Sequence, residues 1–342
     1  MSFGIPVRNG LAIGLRASTT LSSGRGQYPA PAMVLNFLSG TLDSRVTFTR
    51  STVATYVGSN GLLQTAAINA PRFDYDPVTL ALKGLLIEEG RANLLVNSLI
   101  NGTILSTQNV TVTAVPHTIS FYGTGTVTLS GAAIATVVGT GAYPNRQTLT
   151  FTPTAGVLVC TVVGSVQYAQ IEVGPFATSF IPTAAAPVAR GADVVTMTGT
   201  NFSSWYNQTA GTFAVKFDTL WTGAQAATYG VLSFDSSATK RIVQIQATTT
   251  TVSTRDSATT IFTSNSITTG VNKAASCYSA TDRGIVLNGS AVVTGAVDAS
   301  YSNSTLLSIG IVSTGNYLNG HIRDITYYNT RLSNTQLQAL TI

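Results

Sequence analysis

Thr212-Phe-Ala-Val-Lys-Phe-Asp-Thr219 alternates without a break. Phe213, Val215 and Phe217 share one face, with Lys216 and Asp218 on the other, so the run reads as a strand with one side in a core. Downstream, Ile285-Val-Leu-Asn-Gly-Ser-Ala-Val-Val293 sets Asn288-Gly289 between two apolar runs, a strong hairpin signal. Leu306-Leu-Ser-Ile-Gly-Ile311 reads as a buried strand. After the Asn319-Gly320 turn, Ile322, Ile325 and Tyr327 are placed to serve the same core. In Arg331-Leu-Ser-Asn-Thr-Gln-Leu, Ser333 and Gln336 form a capping box and Leu332 with Leu337 a hydrophobic staple. One short helix is expected there, and no other regular helix.

Upstream, short β-branched and aromatic runs recur between Gly-rich turns. Thr118–Tyr122, Thr126–Leu129, Gln147–Phe151 and Gly156–Val163 are such runs, with Gly123, Gly125, Gly131, Gly139 and Gly141 between them. This spacing predicts a small antiparallel sandwich over 96–183. Residues 184–192 read as a linker, and 193–342 as a further β domain. Residues 45–95 hold short strands (Val46–Thr49, Thr55–Val57) between closely spaced turns. In that stretch Asp74, Asp76, Glu88 and Glu89 lie near Arg45, Arg50, Arg72 and Arg91. Arginine forks gripping carboxylates would stiffen a small plate, and solvated charges at turn tips would look the same in sequence. Residues 1–44 show little periodicity and are expected to form an extended arm that orders against something else.

Composition points the same way. Of 342 residues only 9% are charged and 44% are hydrophobic, with Thr, Ser, Gly and Val abundant, which argues for an all-β chain and against disorder. The net charge is +5, but Lys83, Lys216, Lys240 and Lys273 are the only lysines and the arginines are scattered singly. No basic run marks a nucleic-acid groove. No apolar run is long enough to span a membrane and no signal peptide is expected, so membrane insertion is not expected either. Cys160 and Cys277 each sit in an apolar run and are expected to be buried free thiols.

Several strings carry a resemblance. FTRSTVATY (48–56), GLLQTAA (61–67), PRFDYDPVT (71–79), GLLIEE (84–89) and RANLL (91–95) resemble a segment of tailed-bacteriophage structural proteins. Those proteins often end in a concanavalin A-like (laminin G-like) jelly roll, and the closing pattern from Asn319-Gly320 through Ile322-Arg-Asp-Ile325 to Arg331-Leu-Ser resembles the end of such a domain. The run VQYAQIEVGPFATSFIPT (166–183) is similar to the end of carbohydrate-binding-module-like sandwiches in phage tail proteins.

The resemblance implies an all-β virion protein. It would comprise an N-terminal virion-attachment arm, a β-rich plate, an intermediate sandwich and a C-terminal jelly roll, assembled in the host cytoplasm. A tail-fibre or spike component meeting a host surface polysaccharide, with a homotrimer as the default assembly, is the leading expectation. A head fibre, capsid decoration or collar protein is the alternative, and a polysaccharide depolymerase a minor one.

Catalytic residues are not expected. Glycoside hydrolysis needs two carboxylates across the bond, and residues 193–342 contain no Glu and only isolated Asp. Asp324 lies three residues from His321, which on a regular strand puts the two on opposite faces, and His321 reads as a polar, outward residue. No cofactor or metal is expected. A calcium ion held by one carboxylate would leave no motif, and Asp235 and Asp282 would be the residues to hold it. For a sugar ring the candidates are aromatics near turns: Trp221, Trp205, Tyr278 and Tyr317. The same rings would also serve to fill a core or a subunit contact.

Overall fold

A computed structural model describes residues 28–342, apart from 224, 226, 236, 238, 247, 257, 258, 298–300, 302 and 314. The chain is all-β, built from antiparallel sheets that pack as sandwiches. The larger sandwich faces an eight-stranded sheet against a seven-stranded one, and its core runs from Met33 to Tyr327 through Phe48, Ile87, Phe213, Val231 and Ile309.

The alternating run is the strand Gly211–Thr219, paired to Asn272–Tyr278 on one side and Gly320–Tyr328 on the other. Strand Gly320–Tyr328 splits its far edge between two partners. Leu82–Ile87 pairs with its first residues (Ile322 opposite Leu85), and Met33–Asn36 with its last (Met33 opposite Tyr327). Gly84 sits where the two partners change over: its φ is +123°, and a Cβ there would lie 2.4 Å from the Ile322 carbonyl oxygen. Only a glycine lets the two backbones come so close.

Residues 45–95 therefore form no separate plate. Thr47–Thr49 joins the seven-stranded sheet through Val194–Thr198, while Phe73–Tyr75 and Leu82–Ile87 complete the eight-stranded one. The hairpin Ala54–Val57 with Leu63–Ala66 and the strand Arg91–Asn93 stand outside the two sheets. The arm expected over 1–44 is corrected in the same way for its described part, because Met33–Asn36 is a core strand; residues 1–27 lie outside the described residues. The expected linker is also structured, with Val188–Arg190 pairing to Arg91–Asn93. Met33–Asn36, Thr47–Thr49 and Phe73–Tyr75, too short to bury a face alone, gain one by joining a large sheet, while Val188–Arg190 and Arg91–Asn93 pair as a two-stranded ribbon.

The smaller sandwich packs four strands (Ala135–Val138, Thr126–Gly131, Gly156–Val163, Gln108–Val112) on three (Gln147–Phe151, His117–Tyr122, Gln167–Val173). Val127, Leu129, Leu158, Cys160, Ile119 and Phe121 fill the space between. Cys160 and Cys277 are buried free thiols. The closing helix is Asn334–Ala339, capped by Ser333 with both capping-box hydrogen bonds made. A second short helix, Gly199–Ser203, has no side-chain cap hydrogen bond, which explains why no capping signature announced it. Asn288 and Gly289 both take positive φ, but the ladder resumes only at Ile285 opposite Val293, so the turn is wider than a two-residue hairpin.

Candidate functional site

The four aromatic candidates do not form a sugar platform. Trp205 is 8% exposed, lies edge-on to Tyr327 at 4.9 Å and donates its indole N–H to the Asn201 carbonyl at 2.7 Å. Trp221 is 2% exposed, flanked by Tyr229 at 4.4 Å and Phe176 at 6.5 Å, with its N–H on the Leu318 carbonyl. Tyr278 donates to the Asn207 carbonyl at 2.6 Å and meets the Tyr327 hydroxyl at 2.9 Å. Burial pushes the Tyr278 phenol well above its ordinary range. Tyr317 is partly buried against the same core. A turn signal shows that a ring lies near a sheet end, but not whether it points outward or between the sheets.

His321 is a second correction: it is fully buried, not outward. Its Nδ1 is 2.5 Å from Asp218 Oδ1 and its Nε2 3.0 Å from Asp74 Oδ2. Between Gly211–Thr219 and Gly320–Tyr328 the register shifts, leaving Arg323 as an extra residue. This bulge puts His321 and Asp324 on one face of the sheet, opposite the core residues Ile322 and Ile325, and the spacing of three between those two was its mark in the sequence. Asp324 nevertheless pairs with Lys216 at 2.9 Å, so no Ser–His–Asp set forms around it. Burial lowers the His321 pKa, but Asp218 outweighs it and the net shift is upward; Asp218 is lowered because His321 outweighs its own burial. His117 is also buried, its Nδ1 2.7 Å from the Val115 carbonyl.

Asp235 and Asp282 are engaged already. Asp235 takes Lys240 at 3.1 Å and the Thr305 N–H at 2.8 Å; Asp282 takes Arg331 and the Ser279 hydroxyl, each at 2.7 Å. Among the described residues no three His, Cys, Asp or Glu side chains come together as a metal site. No helix among them is long and apolar enough to cross a membrane.

The charges of 45–95 divide: Arg45, paired to Asp43, and Asp76, which accepts the Val78 and Thr79 N–H groups, sit at turns, while others are buried. Arg50, Arg72 and Arg190 enclose Glu88 and Asp193 in a network with side chains at most 1% exposed. Arg72 bridges both acids, reaching Glu88 at 2.7 Å, and Arg50 meets Asp193 at 3.1 Å. Burial raises the Glu88 carboxyl, but Arg190 and Arg72 outweigh it and hold it down to about 2. The network includes Asp193, 143 residues from Arg50, a pairing no sequence window displays.

A cleft opens where the two sandwiches meet, with a volume near 380 Å³. Its wall on the small sandwich carries Thr118, Thr148 and Thr150; the Thr118 and Thr150 hydroxyls donate to the Gly174 and Pro175 carbonyls. Leu220, Trp221, Thr222 and Gln225 from the large sandwich close the other side, and Phe176 lies between. Among the described lining residues Arg146 alone is charged. It donates to the Thr178 carbonyl and the Ser120 hydroxyl, each at 2.7 Å, and its Nε is buried without a partner. One N–H on each terminal nitrogen is left over, and no carboxylate pairs with it. Of the four aromatic candidates only Trp221 borders this space. Thr148, Arg146 and Gln225 escaped sequence reasoning because threonines and a single arginine carry no motif.

The cleft can hold hydroxyl or acidic groups by hydrogen bonds but presents no carboxylate to them. The carboxylates bordering neighbouring cavities are engaged: Asp74 by His321, Glu88 by Arg72, Arg190 and Ser179, and Glu89 by Arg91.

No family model matches the chain, and no curated protein matches it. Among solved structures, the CBM40 module of the Ruminococcus gnavus IT-sialidase, bound to α2,3 sialyllactose, aligns at 16% identity and TM-score 0.33, covering 41% of this chain and 86% of that one. A botulinum neurotoxin type C structure, described as entering cells through two ganglioside molecules, aligns at 13% identity and TM-score 0.34, over 44% of this chain and 39% of that one. Trypanosoma rangeli sialidase aligns at 9% identity and TM-score 0.33, over 43% of this chain and 25% of that one. At these scores the likenesses carry no ligand, residue role or activity over to this chain.

Proposed function

We propose that the chain is a non-enzymatic structural protein of a bacteriophage virion, a tail-fibre or spike component that holds a host surface glycan in the cleft between its two sandwiches. The cleft's chemistry carries the glycan reading: the Thr148 hydroxyl, the Gln225 amide and one arginine without an acid partner suit a polyhydroxylated, acidic ligand. Clefts between domains are favoured places for ligands. The virion reading rests on the strings at 48–95 and 319–333, and attachment through the N-terminus and a trimeric state belong to the same proposal. The engaged state of the cavity-lining carboxylates supports a binding role over a hydrolytic one.

A printed array of bacterial surface glycans tests this reading. Wild-type protein binds acidic glycans, and Gln225→Ala and Arg146→Gln each weaken that signal about tenfold. An array on which no acidic glycan is retained, or on which both variants bind as wild type does, removes the cleft as a receptor site. Release of reducing ends from host polysaccharide would instead establish a depolymerase.

The fully buried arginine–carboxylate network favours a second reading, a rigid head-fibre, decoration or collar part with no receptor. Its signature is a silent array together with labelling of the chain at the head or collar of intact particles.

A further inference from the structure

A second cavity, sharing no lining residue with the cleft, lies at the edge of the eight-stranded sheet. It is a groove near 420 Å³ between the turn that joins Ala54–Val57 to Leu63–Ala66 and the edge strand Phe73–Tyr75. Tyr56, Phe73 and Tyr75 line it, all three half-buried. Among the described residues none of the three rings contacts another aromatic ring, and the hydroxyls of Tyr56 and Tyr75 and the side-chain amide of Gln64 have no hydrogen-bond partner. Tyr206, Tyr278 and Tyr301, by contrast, each spend their hydroxyl on a backbone carbonyl. Asn60 uses only its side-chain oxygen, which accepts from the Leu62 N–H at 3.1 Å, and its amide nitrogen is left over.

The turn is built to keep this surface in place. Gln64 lies across Gly58, where a Cβ would come within 2.6 Å of the Gln64 Cγ, so the amide lies along the groove because residue 58 has no side chain. No lining residue carries a charge.

We propose that this groove is a binding site for a neutral saccharide. The C–H face of a sugar ring packs on an aromatic ring, and its hydroxyls complete hydrogen bonds that polar groups at the site lack. An acidic sugar would find no cation to balance it, and a purely apolar ligand would strand the Gln64 amide and the tyrosine hydroxyls. The volume falls in the range of small-ligand sites, about 300–1,000 Å³. The site stands independently of the cleft, and its ligand differs in charge.

The test uses the full chain on an array holding neutral hexose, deoxyhexose and N-acetylhexosamine oligosaccharides beside acidic ones. Wild type is expected to retain neutral oligosaccharides. Tyr75→Ala and Gln64→Ala each reduce that signal about tenfold, while Arg146→Gln leaves it unchanged. The Gln64 side chain has no hydrogen-bond partner among the described residues, so Gln64→Ala keeps the wild-type melting curve and serves where Tyr75→Ala fails to fold. Absence of any neutral ligand overturns the proposal, as does neutral binding that survives both groove variants or falls only with Arg146→Gln. Binding of extended peptides along the Phe73–Tyr75 edge in place of sugars would overturn it as well. Loss of acidic-glycan binding in Arg146→Gln alone bears on the cleft and leaves the groove standing.

Discussion

Ser179, just beyond the last strand of the small sandwich, donates both its backbone N–H (2.7 Å) and its hydroxyl (2.6 Å) to the carboxylate of Glu88, which follows the strand Leu82–Ile87 of the large one. Arg190 and Arg72 grip the same carboxylate. One buried acid therefore ties the two sandwiches and the segment between them into a single electrostatic unit. Removing water from such a group is expensive, and the hydrogen bonds are what make its charge tolerable there.

Glu88→Gln is expected to destabilise the chain by about 3–5 kcal/mol, because it leaves two buried guanidinium groups short of an anion. Ser179→Ala keeps the N–H bond and loses the hydroxyl bond, for a cost of about 1.5–3 kcal/mol. Urea unfolding curves of both variants check the order. Equal and negligible losses would show that the network contributes nothing. The carboxyl is held at about 2 against its ordinary 4.5, so this stabilisation is complete above the ordinary value and is lost as pH falls toward the lower one.

The His321 clamp imposes a limit on the alkaline side. The folded state favours the imidazolium, so its contribution is complete below the ordinary histidine value of 6.5 and disappears as pH rises through the higher folded value. Asp218 has the opposite sign: its contribution is complete above 3.8 and disappears as pH falls through its lowered value. Melting temperature against pH is therefore expected to form a plateau between those limits. His321→Asn should abolish the alkaline fall. A variant that kept the same fall would show that the clamp is not its source.

Tyr278 and Trp205 separate packing from binding. Tyr278→Phe leaves the Asn207 carbonyl without its 2.6 Å donor and should cost about 1–2 kcal/mol. Trp205→Ala empties a core position and should cost about 3–5 kcal/mol. Neither change should alter the glycan profile of the protein that remains folded. Calorimetric melting and the array together check this, and selective loss of a glycan signal in Tyr278→Phe would return that ring to the binding surface.

The elements that local patterning controls were legible. Phe213, Val215 and Phe217 do line the core from one face of a strand, because side chains on a strand alternate whatever it pairs with. Ser333 and Gln336 make the expected box, because both partners lie within one turn. The burial of Trp205, Trp221 and Tyr278 was not legible, since each depends on which face of an element's end turns inward. The Arg323 bulge was only half visible, in the spacing of Ile322 and Ile325.

By itself the sequence determined that the chain is all-β, where most strands of the small sandwich run, and where the closing helix is capped, since each depends on residues a few positions apart. Tertiary structure alone decided that Met33–Asn36 and Phe73–Tyr75 belong to the large sheet, and that Arg50 meets Asp193. It alone also decided that Tyr56, Gln64 and Tyr75 share a groove. Those outcomes depend on which backbone edges and charges find each other across long stretches of chain, and a strand's own alternation is the same for every partner it could take.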